Sequence, residues 1–529
     1  MKLEAPMLIL FQHYINSREY ELAQKIANDL LKNHSGNIDF LLNYLELQVI
    51  QNDYDEALNT LKLLTKADYP DTSSKLCLEM VKLRLKKLHN IEDALICART
   101  LAASGYMNES EQAIHIAHDI EPENLTVKTE LAQIYLRLGN FPLAIQVSQE
   151  LIQSDESSSK AWSTYGSALR LQGGQDDLAH KAHQKALSLD PECHQSLLDS
   201  LAFEVSSAQN NQDYERCITN SNKCLGVYLR RIQSFEYSPI SYTKLKHDHQ
   251  QAQYLMSKGL KDGLGNFIEA SDHLMSKMKQ VENSIELKIS EAEYQVIHEY
   301  GQIIFMENQN YECRNCLNRE LNWDTITAQY FSNSPSLVVI DDFLSLEALE
   351  YLRDFCYGSK VWHRSYQQAY LGAFADNGFM SKTHMKIAQE LKTNLVGILK
   401  NEQLEQLWAF KYDSVLGRGI NVHADFARIN LNFWITPDEY HLNKNNGGMI
   451  VYTEPAPRDW SYFDYNINSD KIYKYLERHD SMSITVPYRS NRAVLFDSAL
   501  FHETDDIKFE DSYLGRRINM TYLFGTQLK

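Results

Sequence analysis

Residues 423–452 read HADFARINLNFWITPDEYHLNKNNGGMIVY, and this stretch decides how the second half of the chain is interpreted. A histidine and an aspartate lie two positions apart at its start, a strand-like alternation follows, and a double glycine precedes its end. Because alternate side chains of a β-strand face the same side, His423 and Asp425 can converge on one ion. An imidazole and a carboxylate are common metal ligands. The stretch therefore predicts a metal centre.

A second histidine at the end of another strand completes the ligand set. His502 follows the apolar run RAVLFDSALF and lies 79 residues after His423. Two histidines and one carboxylate on one face, with positions left open, suit non-haem Fe(II). A catalytic Zn²⁺ with the same ligands is the alternative. The last apolar run, GRRINMTYLFG, adds Arg516 and Arg517. A guanidinium buried inside a barrel needs a carboxylate partner, which it binds bidentately.

The runs around these residues predict β-structure. From Pro335 onward, short segments rich in Val, Ile, Tyr and Phe are separated by Gly, Pro, Asn or Asp, as in LVVI, WAFKYDSV, GGMIVYTE and SITVPYR. This pattern is typical of an all-β sandwich or barrel. On the strand after His423, one face carries Asn430, Asn432 and Trp434. These side chains either line a polar cavity or face water, and the pattern leaves both interpretations open.

The order of these motifs resembles the 2-oxoglutarate- and Fe(II)-dependent oxygenases. HxD, a double glycine with a strand, a strand ending in His, and G-x-R on the last strand follow one another within residues 334–529. The resemblance implies a double-stranded β-helix, a jelly-roll or cupin-like barrel. It implies His423, Asp425 and His502 as catalytic metal ligands, and Arg517 as the residue that binds the far carboxylate of 2-oxoglutarate.

The resemblance implies further co-substrate residues and a reaction. Asn519 stands where the family usually has Ser or Thr. Fe(II), 2-oxoglutarate and O₂ are the expected cofactors, with release of succinate and CO₂. The carboxylate of Asp425 implies hydroxylation, because halogenating relatives lack it. The remaining expected co-substrate residues are Tyr412, Asn432, Trp434 and, if the register of the last strand differs by one residue, Arg516.

The first half of the chain carries internal repeats. Gly139 and Gly173 are 34 residues apart, and Ala144 and Ala179 are 35 apart. Such a period predicts stacked helix pairs, with small residues where helices cross and glycines in the turns. The best copy resembles tetratricopeptide repeats (TPR) through Trp162, Gly166, Ala186 and Pro191. We therefore predict a multidomain α + β protein whose residues 1–225 form an α-solenoid, with a generic helical bundle as the alternative.

Residues 226–333 keep a helical pattern and predict a connector between the two halves. The cluster His247-Asp248-His249 resembles a metal site, but neighbouring residues of one helix point in different directions. We predict a solvated helix face there. The single CxxC pair, Cys313 and Cys316, has no second pair and no nearby histidines to complete a zinc site, and we interpret it as incidental.

Composition excludes several classes of partner. The chain has 529 residues and a formal net charge of -18, without a basic block. Phosphate binding needs clustered Lys and Arg, so no nucleic-acid partner is expected. No apolar run reaches the ~18 residues that a membrane span requires, so no membrane partner is expected. Eight scattered cysteines predict reduced thiols and a cytoplasmic location.

A repeat solenoid joined to an oxygenase barrel is similar in plan to the collagen prolyl hydroxylases. The resemblance implies that the solenoid holds a protein or peptide whose side chain is hydroxylated. Two alternatives stay open at this point. One is a small-molecule hydroxylase whose repeats recruit a partner, and the other is a scaffold with an inactive barrel.

Overall fold

A computed structural model gives the architecture of the chain. It divides into two compact units, residues 1–196 and 197–529, which are described separately. Parts of the predicted connector, residues 233–239, 261–263 and 281–285, lie outside the described residues. The structure describes residues 20–34, 87–103, 106–232, 240–260, 264–280, 286–287, 290–366, 368–417, 419–460 and 463–526, with single positions among residues 11–83.

The described elements of the first unit are helices. Helix α8 crosses the boundary, and α9 follows it in the second unit. The helices are α1 (Tyr20–His34), α2 (Ile91–Ala103), α3 (Met107–Ile120), α4 (Leu125–Arg137), α5 (Phe141–Ser154), α6 (Ser159–Gln172), α7 (Asp176–Leu189), α8 (His194–Ser207) and α9 (Asn211–Ile232).

Alternate helices begin at a regular interval. Helices α2, α4, α6 and α8 begin at residues 91, 125, 159 and 194, and helices α3, α5, α7 and α9 at residues 107, 141, 176 and 211. The spacing is 34 or 35 residues throughout, so the predicted helical repeat is confirmed over four successive pairs.

Small residues explain how the helices of a pair approach each other. Ala144 is fully buried, and only 2% of Ala179 is exposed. A Cβ atom at Gly166 would lie 2.7 Å from the imidazole Nε2 of His183 on the next helix, so only glycine fits there. Gly139 has φ +76°, a left-handed conformation that ends α4 without the penalty another residue would incur.

The second unit combines helices with strands. Besides α9 it contains α10 (Tyr242–Ser257), α11 (Leu264–Gln280), α12 (Glu291–Gln302), α13 (Trp323–Ser332), α14 (Leu346–Gly358), α15 (Lys382–Asn394), α16 (Val396–Leu399) and α17 (Ser469–Arg478). Its strands are β1 (Ile240–Ser241), β2 (Glu286–Leu287), β3 (Leu337–Ile340), β4 (Arg364–Tyr366), β5 (Tyr370–Phe374), β6 (Leu404–Tyr412), β7 (Ala427–Trp434), β8 (Met449–Pro455), β9 (Ser483–Val486), β10 (Ala493–Asp497), β11 (Leu500–Thr504) and β12 (Arg517–Thr526).

The main strands form two antiparallel sheets. The larger has the order β3-β10-β7-β12-β6-β5-β4, and the smaller has the order β11-β8-β9. Apolar side chains from both sheets share one core, including Trp434, Val451, Val494 and Phe496. Strands β1 and β2 pair separately. The two sheets share one core, and the double-stranded β-helix stays a prediction.

Helix α10 differs from expectation. His247 is fully buried, and only 9% of Asp248 and 8% of His249 are exposed. His247 contacts the rings of Trp362 and Tyr513, so the predicted solvated face is wrong. The reason is that α10 packs against the larger sheet on the face turned away from the smaller sheet, which we call the back.

The boundary between the two compact units follows residue 196, and the divisions at residues 225 and 333 stay predictions. Helix α9 belongs with the sheet-containing unit because it packs against the segment before α15. Ser221 donates to the Ala375 carbonyl, and Asn222 donates to Gln309 at 2.9 Å. Within the described residues, no helix combines the length and apolar character needed to cross a membrane.

Candidate metal centre

Two facing backbone segments bring the predicted ligands together. His423 and His502 are paired by two backbone hydrogen bonds, with N···O distances of 3.0 and 2.8 Å. Their ring centroids lie 4.3 Å apart. Asp425 is fixed by a hydrogen bond of 3.1 Å from its N–H to the Ser498 carbonyl. These backbone contacts bring both histidines and the carboxylate together, although His423 and Asp425 lie just before β7 and not within a strand as predicted.

The potential ligand atoms are close enough to hold one ion. The Nε2 atom of His502 lies 3.5 Å from Asp425 Oδ2, and the Nε2 atom of His423 lies 3.9 Å from Asp425 Oδ1. One ligand atom from each residue lies within 4.8 Å of the others. Among the described residues, no other group of three or more His, Cys, Asp or Glu side chains has its ligand atoms within 4.8 Å of one another.

Hydrogen bonds select the imidazole tautomer that can bind a metal. The Nδ1 atom of His423 lies 2.8 Å from the Asn421 carbonyl, and that of His502 lies 3.0 Å from the Leu500 carbonyl. A carbonyl only accepts, so each Nδ1 carries the proton and each Nε2 has a free lone pair. Both lone pairs belong to the nitrogen atoms that lie near Asp425.

The charges of the site suit a cation. Burial lowers the pKa of His423 to about 4, so its ring is neutral at neutral pH. Burial alone would raise the pKa of Asp425, but the interactions of its carboxylate with His502, His423 and Asn430 outweigh burial and leave that pKa below its usual value. Asn430 donates from Nδ2 to Asp425 Oδ2 at 2.8 Å and orients the carboxylate.

Arg517 lies buried in the same cavity without a carboxylate partner among the described residues. Its Nε atom donates to the Gly447 carbonyl at 2.7 Å and its Nη2 atom to the Gly448 carbonyl at 2.9 Å. The guanidinium carbon lies 4.7 Å from the centre of the Tyr412 ring. Carbonyl dipoles and an aromatic face hold the cation in place but do not neutralise it.

The double glycine of the opening stretch forms this cradle. Gly447 has φ +81°, and a Cβ atom there would lie 2.6 Å from His441 Nε2. A Cβ atom at Gly448 would lie 1.9 Å from the Val486 carbonyl oxygen. Only glycine allows this backbone to approach its neighbours and present two carbonyl oxygens to Arg517.

The cavity has one aromatic wall and one amide wall. Its unfilled space, including the mouth, is about 420 Å³. Strand β6 contributes Trp408, Phe410 and Tyr412, which alternate along it and face the same side. Strands β7 and β12 contribute the amide and hydroxyl groups of Asn430, Asn432, Asn519 and Thr521.

The open question about strand β7 is answered by these contacts. Asn430 and Asn432 line the cavity, and Asn432 donates to Thr521 Oγ1 at 3.0 Å. The Oδ1 atom of Asn430 is buried and has no hydrogen-bond partner among the described residues. Trp434 faces the same side but lies behind Arg517, 5.6 Å from its guanidinium, and does not line the cavity.

The structure does not bring Arg516 to the cavity. Strand β12 pairs with β6 so that Arg517 is opposite Tyr412, which turns Arg516 to the other face of the sheet. There it lies 3.1 Å from Asp413 Oδ2 and donates to Gln250 Oε1. The alternative register for the last strand is therefore not adopted, and Arg516 is removed from the expected co-substrate residues.

Several groups at the site were not singled out from the sequence. The carbonyls of Asn421 and Leu500 set the histidine tautomers, and those of Gly447 and Gly448 hold Arg517. Every residue type has a backbone carbonyl, so the sequence does not reveal which carbonyls take part in the site. Only the glycine pair could have been recognised from the sequence. Thr521 was missed although it faces the cavity two positions after Asn519.

Comparisons with known proteins give weak similarities. No protein-family model matches the chain, and no curated protein matches it either. A Thermobaculum terrenum O-GlcNAc transferase mutant is 20% identical, with a TM-score of 0.24, over 26% of each chain. The matched part of the present chain thus spans about a quarter of that transferase.

Two further solved structures are similar to parts of the chain. MamA from Desulfovibrio magneticus RS-1 is 18% identical with a TM-score of 0.23, over 37% of this chain and 97% of its own. SnoK, a non-heme alpha ketoglutarate dependent carbocyclase from nogalamycin biosynthesis, is 13% identical with a TM-score of 0.30, over 40% of this chain and 87% of its own. At these TM-scores, neither similarity decides the function of this chain.

Proposed function

We propose that the chain is a 2-oxoglutarate- and Fe(II)-dependent dioxygenase that hydroxylates a protein or peptide side chain. The observation that carries this proposal is the coexistence of two groups in one cavity. One is the set of His423, Asp425 and His502, whose ligand atoms lie within 4.8 Å of one another. The other is the buried guanidinium of Arg517, which has no carboxylate partner among the described residues.

The residues fit Fe(II) by the chemistry of their donor atoms. Two neutral imidazoles and one carboxylate on one face, with the remaining positions open, are the ligand set that non-haem Fe(II) oxygenases use. His423, Asp425 and His502 would hold the ion. The hydrogen bond from Asn430 to Asp425 and the carbonyl contacts of both imidazoles support the orientation of the ligands.

The residues also fit a dicarboxylic co-substrate. An unpaired buried cation is costly unless a ligand neutralises it, and a guanidinium binds a carboxylate with two parallel hydrogen bonds. Arg517 would hold the far carboxylate of 2-oxoglutarate, and Tyr412, whose ring faces that guanidinium, would border it. Asn432 and Asn519 line the same cavity and offer amide groups to the co-substrate or to the substrate.

When bound, Fe(II), 2-oxoglutarate and O₂ supply the oxidation, in which one oxygen atom enters a substrate C–H bond, the other enters succinate, and CO₂ leaves. The residues of this chain would bind and orient these groups and exclude water from the cavity. The Phe496 ring packs against His502 with centroids 5.0 Å apart and shields the ligand from solvent. The carboxylate of Asp425 occupies one ligand position, which favours hydroxylation.

The helical repeats support a macromolecular substrate. Stacked helix pairs present an extended surface on which peptides bind, and the helices of this chain repeat every 34 or 35 residues. We propose that the repeats within residues 1–225 hold the substrate and that residues 334–529 carry the oxygenase site. Residues 226–333 then join the two parts. The cytoplasmic location stays a prediction.

Succinate formation tests the catalytic part of the proposal. The purified chain, incubated in air with Fe(II) and 2-oxoglutarate, should release succinate slowly without any substrate, and Asp425→Ala should release none. His479→Ala, which alters an exposed histidine, serves as the matched control. If wild type and Asp425→Ala release equal amounts of succinate, the chain is not this enzyme.

The substrate class needs a separate test. The Asp425→Ala variant is immobilised and incubated with a lysate, so that it retains candidate substrate proteins. The retained proteins are then treated with the wild-type chain and 2-oxoglutarate. A mass increase of one oxygen atom on a captured protein supports the protein-hydroxylase assignment. Turnover of small metabolites alone would favour a small-molecule hydroxylase.

A further inference from the structure

One face of the larger sheet is aromatic from its edge strand to the metal cavity. Register places residues of strands β4, β5 and β6 beside one another on that face, and three of them also line the cavity. We call this surface the aromatic face. Its members are Tyr366, Tyr370, Phe374, Trp408, Phe410 and Tyr412.

The rings of the aromatic face form a continuous row. Tyr366 and Tyr370 stack with centroids 4.5 Å apart and planes inclined by 8°. Tyr370 and Tyr412 follow at 5.5 Å and 29°. The guanidinium of Arg517 lies 4.7 Å beyond the Tyr412 ring centre. The row therefore runs from the edge of the sheet to the residue proposed to bind the co-substrate.

A glycine makes room for the rings beside this row. Gly372 lies between Phe374 and Phe410 on the same face, and a Cβ atom there would lie 2.6 Å from the Phe374 ring. The Phe410 ring meets those of Tyr370 and Phe374 edge to face, at 5.3 and 5.9 Å. These are preferred geometries for aromatic pairs, so the side chains form an ordered surface.

The aromatic face is half-buried, unlike the opposite face of the same strands. Leu371, Ala373 and Ala409 on the opposite face are fully buried, whereas Tyr370 and Phe410 keep part of their surface accessible. Tyr412 is buried in the core between the two sheets, and Tyr370 and Phe410 pack against that core while the rest of their surface stays accessible. Large apolar surfaces that stay accessible beside a ligand cavity are typical of binding sites.

The aromatic face carries no uncompensated charge apart from Arg517. Arg364, at the edge strand, lies 4.0 Å above the Phe374 ring and pairs with Asp376 at 2.6 Å. The amide wall of the cavity, including Asn432 and Asn519, is also uncharged. A charged substrate group that rests on the aromatic face itself would lose its hydration without gaining an opposite charge. The carboxylate of Glu503, which accepts from the hydroxyls of Tyr452 and Tyr473, lies elsewhere in the cavity lining.

We propose that the aromatic face binds a peptide segment with an aromatic side chain close to the residue that is hydroxylated. This inference rests on the proposed function. An incoming ring gains stacking and edge contacts along the row, and the amides of Asn432 and Asn519 offer hydrogen bonds to a peptide backbone. Three strands span about 10 Å at roughly 4.8 Å each, which is the length of about three residues of an extended peptide and exceeds a single ring.

A peptide library tests the preference directly. Random heptapeptides without Met or Cys, acetylated and amidated, are incubated with the full chain, Fe(II), 2-oxoglutarate and air. Tandem mass spectrometry then identifies peptides that gained one oxygen atom. Parallel incubations with Asp425→Ala and without 2-oxoglutarate subtract background oxidation, and free indole is tested as a small aromatic probe.

The outcomes separate the inference from the proposed function. We expect modified peptides to be enriched in Phe, Tyr or Trp within two positions of the oxidised residue. Enrichment in charged residues, no aromatic enrichment, absence of modified peptides, or turnover of indole instead of peptides would each overturn the inference. Succinate release by the wild-type chain is scored in the same samples, and its absence would instead refute the proposed function.

Variants locate the preference on the aromatic face. Trp408→Ala should raise the Kd of the best library peptide by roughly tenfold, and Trp408→Phe should restore most of the affinity because a ring is retained. Phe331→Ala removes an exposed aromatic residue of α13 and is the matched control. Unchanged peptide affinity in folded Trp408→Ala and Tyr366→Ala, judged by thermal unfolding, would overturn the assignment to this surface.

Discussion

The two faces of the larger sheet differ in how they stabilise a buried arginine beside strands β6 and β12. The front is the face that lines the candidate metal cavity, and the back is the face that packs against α10. On the back, Arg516 lies 3.1 Å from Asp413, which also pairs with Lys246 at 2.9 Å. On the front, the adjacent Arg517 donates to two backbone carbonyls and to Asn519 Oδ1 and lies against the Tyr412 ring, all of them uncharged groups. Both guanidinium groups are 3% exposed, so burial does not distinguish them.

The difference teaches which buried cation belongs to a functional site. A guanidinium with a carboxylate partner inside the fold is already neutralised and has no need of a ligand. A guanidinium that is held in place but not neutralised is prepared for an anion that the chain does not supply. We therefore expect the front of the sheet to bind an anion and the back to hold the strands in position.

Replacement of a proposed metal ligand should give the largest effect on the front face. His502→Ala should lower succinate formation by more than roughly 100-fold, because changes outside the direct ligands already cost 10–100-fold. Iron content after equilibrium dialysis checks the cause, and it should fall together with activity. His479→Ala, an exposed histidine, should change neither quantity. Full activity in His502→Ala would show that the metal lies elsewhere.

Replacing each arginine in turn by methionine separates the role of Arg517 on the front from that of Arg516 on the back. Arg517→Met should raise the Kd for 2-oxoglutarate by about 100-fold, since a charge-assisted bidentate contact is lost. Arg516→Met should leave that Kd near the wild-type value but lower the free energy of unfolding by about 3 kcal/mol, because the buried Asp413 keeps only Lys246. Calorimetric titration and urea unfolding measure the two quantities. Weakened 2-oxoglutarate binding in both variants would remove the distinction.

A buried lysine on the back offers a test in which stability should rise. Lys411 is fully buried, its Nζ atom has no hydrogen-bond partner among the described residues, and it lies 3.7 Å from the Tyr513 ring centre. Burial, followed by the charge of Arg516, holds the pKa of Lys411 well below its usual range. Lys411→Met should therefore raise the free energy of unfolding at pH 7 by about 1–3 kcal/mol.

The pH dependence of that gain follows from the direction of the shift. Between the folded-state and unfolded-state pKa values of Lys411, the unfolded chain binds a proton that the folded chain does not, so wild-type stability rises with pH in this window. The advantage of Lys411→Met should accordingly shrink as the pH approaches about 10. Urea unfolding at several pH values measures it. A stability loss in Lys411→Met would show that the ammonium group is favoured by its aromatic neighbours.

The smallest effect is expected at the hydroxyl of Tyr412. Tyr412→Phe keeps the ring that faces Arg517 and removes one hydrogen-bonding group, so the Kd for 2-oxoglutarate should rise only about 3–10-fold. The same titration used for Arg517→Met measures this change. A larger rise than in Arg517→Met would mean that the hydroxyl, and not the guanidinium, dominates co-substrate binding.

Local pattern was sufficient to predict that His423, Asp425 and His502 lie close together. The two-residue spacing of His423 and Asp425 and the apolar run before His502 singled out these three residues, and the structure brings them together. His502 lies inside β11, whereas His423 and Asp425 lie just before β7. Alternation also assigned the faces of Arg516 and Arg517 once the register of the last strand was chosen. These features depend on neighbours within a few residues, which the sequence states directly.

The environment of α10 could not be predicted in the same way. His247 looked solvated because its partners, Trp362 and Tyr513, lie more than a hundred residues away in sequence. Lys411 is similar, since a lysine inside an alternating strand is usually on the exposed face and its burial depends on the helices packed behind the sheet. Long-range packing carries no local signature, so neither the burial of His247 nor that of Lys411 could be predicted from its sequence neighbours.

The central claim is that His423, Asp425, His502 and Arg517 together bind Fe(II) and 2-oxoglutarate. Anaerobic addition of Fe(II) and then 2-oxoglutarate to the purified chain, followed by visible absorption, tests it most directly. A weak charge-transfer band should grow to saturation at one equivalent of 2-oxoglutarate, disappear in His502→Ala and require far more 2-oxoglutarate in Arg517→Met. Absence of the band in the wild-type chain, or an equal band in His502→Ala, would contradict the claim.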